Sequence, residues 1–129
     1  MTAEDAIRLT REHVERQFPK RCQACGAEFA SLVDYLRRTK HVGDPASYDD
    51  ESEPRPRDPM GIFAFANCRC GSTLTITSEG MSLLTLWRLM GWARAESRRR
   101  GVGFGQVVAW VRDEIDRRVL AENTPGPRQ

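Results

Sequence analysis

The thiols are the side chains of this chain best able to do chemistry, and all four sit in two tight pairs, Cys22-Gln-Ala-Cys25-Gly and Cys68-Arg-Cys70-Gly. Two cysteines this close reach one ion only if the backbone between them bends sharply. Each pair is followed at once by a glycine, Gly26 or Gly71, which permits the bend and turns backbone N–H groups toward sulfur. Four thiolates suit a zinc ion, which prefers a tetrahedron of ligands with sulfur at about 2.3 Å. Other uses of the sulfurs compete with this one. Small core hydrophobes have no reason to pair ahead of glycines. A redox Cys-x-x-Cys of thioredoxin type needs a preceding strand, which the residues before Cys22 do not suggest. An iron–sulfur cluster also takes four thiolates and stands as the alternative cofactor to Zn2+.

The paired knuckles, written CxxCG…CxCGSTL, resemble those of zinc-ribbon and treble-clef zinc-binding domains, and they look like the pair in small bacterial proteins of unassigned role. The resemblance spans residues 21–77. It implies Cys22, Cys25, Cys68 and Cys70 as metal ligands, one knuckle coming from a hairpin and the other from a second turn or helix start. The chain departs from that pattern in having one residue inside the second pair where two are usual. The 42 residues between the pairs also hold a helix and an acidic stretch.

Neither histidine is expected as a ligand, because four cysteines already complete the tetrahedron. His13 falls on the charged side of the first helical segment, and His41 lies where the second gives way to a loop. There is no nucleophile elbow, phosphate loop or HExxH motif. The glycines of GVGFG, 101–105, lack the lysine and the strand of a phosphate loop and read as a flexible connection between helices. Four thiolates also leave no open coordination position, so a structural, non-enzymatic site is expected.

The elements that must position the knuckles follow from periodicity. Thr2 and Asp5 form a capping pair ahead of Ile7, Thr10, Val14 and Phe18, which predicts a helix over 3–18 that Pro19 ends. Phe29, Leu32, Val33 and Leu36 recur at helical spacing, with Arg37, Arg38 and Lys40 as a solvated basic end. Residues 43–59 contain four prolines and a run of acids and read as a surface loop. Phe63 and Phe65 before the second cysteine pair, and Leu74 and Ile76 alternating with threonines after it, predict a β-hairpin with Cys-Arg-Cys-Gly at its tip. Ser82 opens a helix that carries Leu83, Leu84, Leu86, Trp87, Leu89, Met90 and Ala93, and Gly101 closes it. A last helix has Phe104, Val108, Val111, Ile115 and Val119 in a stripe, with Asp113–Arg117 and Glu114–Arg118 as outer pairs.

The fold expected is therefore α+β: a small β-hairpin with a four-cysteine metal site, packed with about four helices including a C-terminal helical pair over 81–121. A chain of 129 residues suits one domain, 1–122, with 123–129 as a disordered tail. Mean hydropathy is −0.56, ordinary for a globular protein in water. The charged N-terminus lacks a signal-peptide pattern, and the apolar run 83–93 is far shorter than the roughly 20 residues of a membrane span, so a cytoplasmic location and no membrane partner are expected.

Net charge is +2, but it is unevenly spread: Lys and Arg against Asp and Glu run 8 to 6 over 1–42, 3 to 7 over 43–80 and 9 to 5 over 81–129. A basic C-terminal third with Arg94, Arg98, Arg99, Arg100 and the tryptophans 87 and 92 makes nucleic-acid binding a secondary reading. The favoured one is a protein-interaction or regulatory module. The 83–93 helix is too apolar all round for so short a chain to cover, so it is expected to meet another protein or a second copy.

Overall fold

A computed structural model describes residues 1–41 and 62–123, so the expected acidic loop and C-terminal tail lie outside the described residues, apart from Asn123. The order is α1 (Ala3–Glu15), β1 (Lys20–Arg21), β2 (Glu28–Phe29), α2 (Leu32–Arg38), β3 (Lys40–His41), β4 (Ile62–Asn67), β5 (Thr73–Thr77), α3 (Leu83–Arg100) and α4 (Phe104–Asn123). It is an α+β fold with two small antiparallel sheets, β1–β2 and β3–β4–β5.

α1 begins where its sequence requires. The Thr2 hydroxyl accepts from the Asp5 N–H at 3.1 Å while the Asp5 carboxylate accepts from the Thr2 N–H at 3.0 Å. The helix ends at Glu15, three residues before the expected boundary, since the Gln17 and Phe18 N–H groups tighten onto the Val14 and Glu15 carbonyls. Phe18 packs edge-on against Tyr35 instead, at 5.5 Å between ring centres. His13 is buried, contrary to its expected place on the charged side. It shares a face with Ala6, Thr10 and Val14, and its Nε2 lies 2.9 Å from the Thr77 carbonyl oxygen, which joins α1 to the end of β5.

Phe29 is also reassigned, from the second helix to strand β2, where it pairs with Lys20. Ser31 is the reason: its side chain accepts from the Asp34 N–H at 3.3 Å and caps α2 only after Phe29 has passed. α2 buries Leu32 and Tyr35 fully, and Val33 and Leu36 in part. Its basic end is not wholly solvated. Arg38 donates to the Glu28 carbonyl at 2.7 Å and lies 4.8 Å over the Phe29 ring, tying the first hairpin to the helix. His41 belongs to β3, a strand that periodicity did not suggest, opposite Ala66.

The second hairpin forms as expected. β4 pairs with β5 from Asn67↔Thr73 to Ile62↔Thr77, with an irregularity between Ile62 and Ala64, and Leu74 and Ile76 face inward. α4 is the hub of the fold, packing on α1, α2, α3 and β4. Its buried stripe, Phe104, Val107, Val108, Val111, Ile115 and Val119, meets Leu86, Leu89 and Ala93 of α3. Side chains of this size stabilise by about 1.5–3 kcal/mol each when buried.

Two bidentate pairs fasten α1 to α4 at the surface, Arg11 to Glu122 at 2.6 and 2.8 Å and Arg118 to Glu4 at 2.7 Å. Glu114 lies 3.6 Å from Arg118 as expected, but Arg117 also turns to Glu114, at 2.6 Å, and Asp113 pairs with Arg112. The glycine segment after α3 is a tight turn. Gly101 is left-handed at φ 69°, and the Val102 N–H closes onto the Ser97 carbonyl at 3.1 Å. Among the described residues no helix is long and apolar enough to cross a membrane.

Candidate metal centre

The two knuckles are built alike on different sheets. In the first, between β1 and β2, the Gly26 N–H donates to the Cys22 carbonyl and the Cys22 N–H to the Ala27 carbonyl, both at 2.8 Å. In the second, at the β4–β5 tip, the Gly71 N–H donates to the Cys68 carbonyl at 2.9 Å and the Cys68 N–H to the Ser72 carbonyl at 2.8 Å. Gly26 and Gly71 take φ of 79° and 95°, left-handed backbone that glycine adopts without strain.

The fold brings all four expected site residues together. The Sγ atoms of Cys22, Cys25, Cys68 and Cys70 lie within 4.8 Å of one another, and the pairs Cys22–Cys70 and Cys25–Cys68 stand 3.7 Å apart across the knuckles. Those separations are far too long for disulfides. They match a single coordinated ion, since sulfurs 2.3 Å from a tetrahedral centre are about 3.8 Å apart along each edge. One cysteine of each knuckle, Cys22 and Cys68, is buried, while Cys25 and Cys70 are exposed.

Backbone and side-chain donors act on these sulfurs. The Cys25 and Ala24 N–H groups hold the Cys22 thiol below its usual value. The Ser72 hydroxyl, and then its N–H, bring Cys70 down to about 6. The Ala27 N–H pulls Cys25 down as well, but the sulfurs of Cys68 and Cys70 outweigh it and push Cys25 up to about 11. Without a cation, adjacent sulfurs must share protons to limit their repulsion. A divalent ion supplies the charge that lets all four ionise. The donor set thus fits a thiophilic metal.

Two residues of the site went unnoticed in the sequence. Ser72 had a visible signal, directly following the second knuckle glycine. Arg21 had none: its guanidinium folds over the first knuckle, so that a Cβ on Gly26 would lie 3.4 Å from its Nη2. His13 lies apart from the cluster, its ring against the Thr77 carbonyl. The C-terminal arginines are partly spoken for, Arg99 and Arg100 pairing with Glu96 at 2.6 and 2.7 Å and Arg100 lying 4.4 Å over the Trp110 ring. Compared with protein-family models, with curated proteins and with solved structures, the chain matches none.

Proposed function

We propose that Cys22, Cys25, Cys68 and Cys70 hold one structural zinc ion and that the protein is a non-enzymatic interaction module, one domain built around that ion. The observation carrying the metal reading is the pair of 3.7 Å cross-knuckle sulfur contacts, the spacing of one ion's coordination shell. In an iron–sulfur cube each thiolate binds a different iron, and the sulfurs must spread around the whole cluster. Four thiolates fill a tetrahedral ion's sphere and leave no position for a substrate, so the ion's work is to join the two hairpins. The strands it joins are short. β1 and β2 have two residues each, too few to hold their register unaided. The interaction reading rests on Leu83, Leu84 and Trp87, which are 68%, 70% and 76% exposed.

The test is metal analysis of protein purified without oxygen. One zinc per chain, no colour, and loss of cooperative unfolding on chelation are expected. Iron with inorganic sulfide in brown protein makes the site a redox centre instead, and iron without sulfide makes it a one-iron site.

A further inference from the structure

The two hairpins leave a groove between them whose walls are strand edges. It measures about 400 Å³ and is lined by residues 20–24, from β1 into the first knuckle, and by residues 72–75, where β5 begins. β5 stands at the end of its sheet. The hydrogen-bonding phase of each strand follows from its turn. The Cys68 N–H donates to the Ser72 carbonyl, so the pairs Ala66–Leu74 and Ala64–Ile76, two and four residues along, are the hydrogen-bonded ones. The backbone N–H and carbonyl groups of Thr73 and Thr75 therefore point away from β4. Thr77, next in that phase, shows the direction: its carbonyl accepts from the Gln17 side-chain amide at 3.0 Å and lies 2.9 Å from His13 Nε2. By the same count the bond from the Cys22 N–H to the Ala27 carbonyl makes Lys20–Phe29 the hydrogen-bonded pair of the first hairpin and turns the backbone of Arg21 outward.

Among the described residues no strand lies against Thr73 and Thr75. An unpaired edge templates the addition of a further strand, and proteins usually block it with charge or proline on the edge itself. β5, Thr-Leu-Thr-Ile-Thr, carries neither. The charges stand on the opposite wall instead. Lys20 and Arg21 are the only charged residues among those lining the groove, and neither forms an ion pair among the described residues. Adjacent on a strand, they project to opposite faces, so acids at consecutive positions of an incoming strand would each meet one.

We infer that this groove takes an extended acidic segment of a different protein, which adds as a strand to β5, pairing its main chain with Thr73 and Thr75 and setting carboxylates against Lys20 and Arg21. In strand addition the main-chain bonds supply affinity and the side chains select the partner. A second copy fits poorly, because its own β5 edge stands beside the same two cations and like charges would meet. A nucleic acid would use the cations but has no alternating donors and acceptors at strand spacing to offer the threonines. The groove is separate from Leu83, Leu84 and Trp87 on α3 and goes beyond the interaction reading drawn from them. It rests on the metal reading only for the ion that holds its two walls together.

The experiment uses the full chain in its metal-loaded form. The probe is a labelled peptide of threonines and valines flanking two adjacent glutamates, beside one twin with lysines in their place and another N-methylated through its centre. Binding is read by anisotropy and by amide exchange in the protein. In the free chain the Thr73 and Thr75 amides should exchange faster than those of Leu74 and Ile76, and the glutamate peptide should slow both at least about tenfold. It should also bind at least about tenfold tighter than either twin. Thr75→Pro removes an outward N–H while leaving the β4 ladder its bonds, so it should weaken binding about tenfold. Lys20→Gln should flatten the salt dependence, and Trp87→Ala should change nothing. Metal content and melting temperature of each variant separate failure of the groove from failure of the zinc site; if Thr75→Pro unfolds, the N-methylated twin decides. Equal binding of all three peptides, or of none, overturns the proposal, as does binding that leaves Thr73 and Thr75 unprotected. So does a dimer by sedimentation that Thr75→Pro dissolves, or tighter binding to a thymidine oligonucleotide. Stronger peptide binding after Asp49→Asn, Asp50→Asn and Glu51→Gln would make the chain's own acidic stretch the occupant, and would also overturn it.

Discussion

The hairpin end and the helical end of this protein solve the same problem by different physics. Around α4 the fold relies on area: Leu86, Leu89, Val107, Val111, Ile115 and Val119 interdigitate, and the cost of any one loss is spread over many contacts. Around the knuckles there is little apolar area to use. The two-residue strands β1 and β2 carry the first knuckle there, and its sulfurs stand against those of Cys68 and Cys70, 43 or more residues away in the chain, where the proposed ion would tie the hairpins together. A small fold can thus concentrate its stabilisation at one point where it cannot spread it over a core.

The largest expected effect separates the two ends at once. Structural zinc contributes on the order of 10 kcal/mol, as much as a small domain's whole stability. Cys22→Ser or Cys68→Ser should abolish metal binding and amide protection in β4 and β5, read by hydrogen exchange, and His41→Ala should leave the metal stoichiometry unchanged. Persistence of the β4–β5 register in the metal-free chain would break the comparison. Next in size, Leu89→Ala should cost about 2–5 kcal/mol in denaturant unfolding yet leave one metal per chain, because the cavity it opens lies among the helices.

Glycine substitutions sharpen the contrast at equal chemistry. Gly101→Ala, forced to a left-handed φ of 69° at the helix end, should cost about 1 kcal/mol with no change in metal affinity. Gly26→Ala meets the same backbone strain, and its new methyl would also crowd Arg21, so it should lower metal affinity in a chelator competition as well. The smallest effect is electrostatic. Hydrogen bonds from Arg99, and then Arg100, hold Glu96 down to about 2. A depressed carboxylate stabilises the fold above its unfolded value, near about 4.3, and that contribution disappears as pH falls through the folded value. Glu96→Gln should therefore lower stability slightly at neutrality, where the contribution is fully present, and flatten the acid limb between those pH values.

Much of the architecture was legible in the residues themselves. Thr2 with Asp5, Ser82 and Gly101 marked helix ends, and the threonine alternation of 73–77 marked a strand, because caps and pleats are satisfied by neighbours in sequence. Phe29 and His13 were misplaced for the complementary reason. Phe29 fits a helical period as well as it fits a strand, and only its pairing with Lys20 and the Ser31 cap decides between them. His13 follows charged residues, and its burial depends on a carbonyl 64 positions away.

The sequence by itself determined the four cysteines, their knuckle glycines and the elements on either side, since each is a local matter of spacing and backbone freedom. Only the tertiary structure decided that Cys22 meets Cys70 while Cys25 meets Cys68, and that α3 turns Leu86 and Leu89 inward but leaves Leu83, Leu84 and Trp87 in water. An all-round apolar helix has no preferred inward face of its own. The face is chosen by where α4 and the sheet stand, and that depends on contacts distant in sequence.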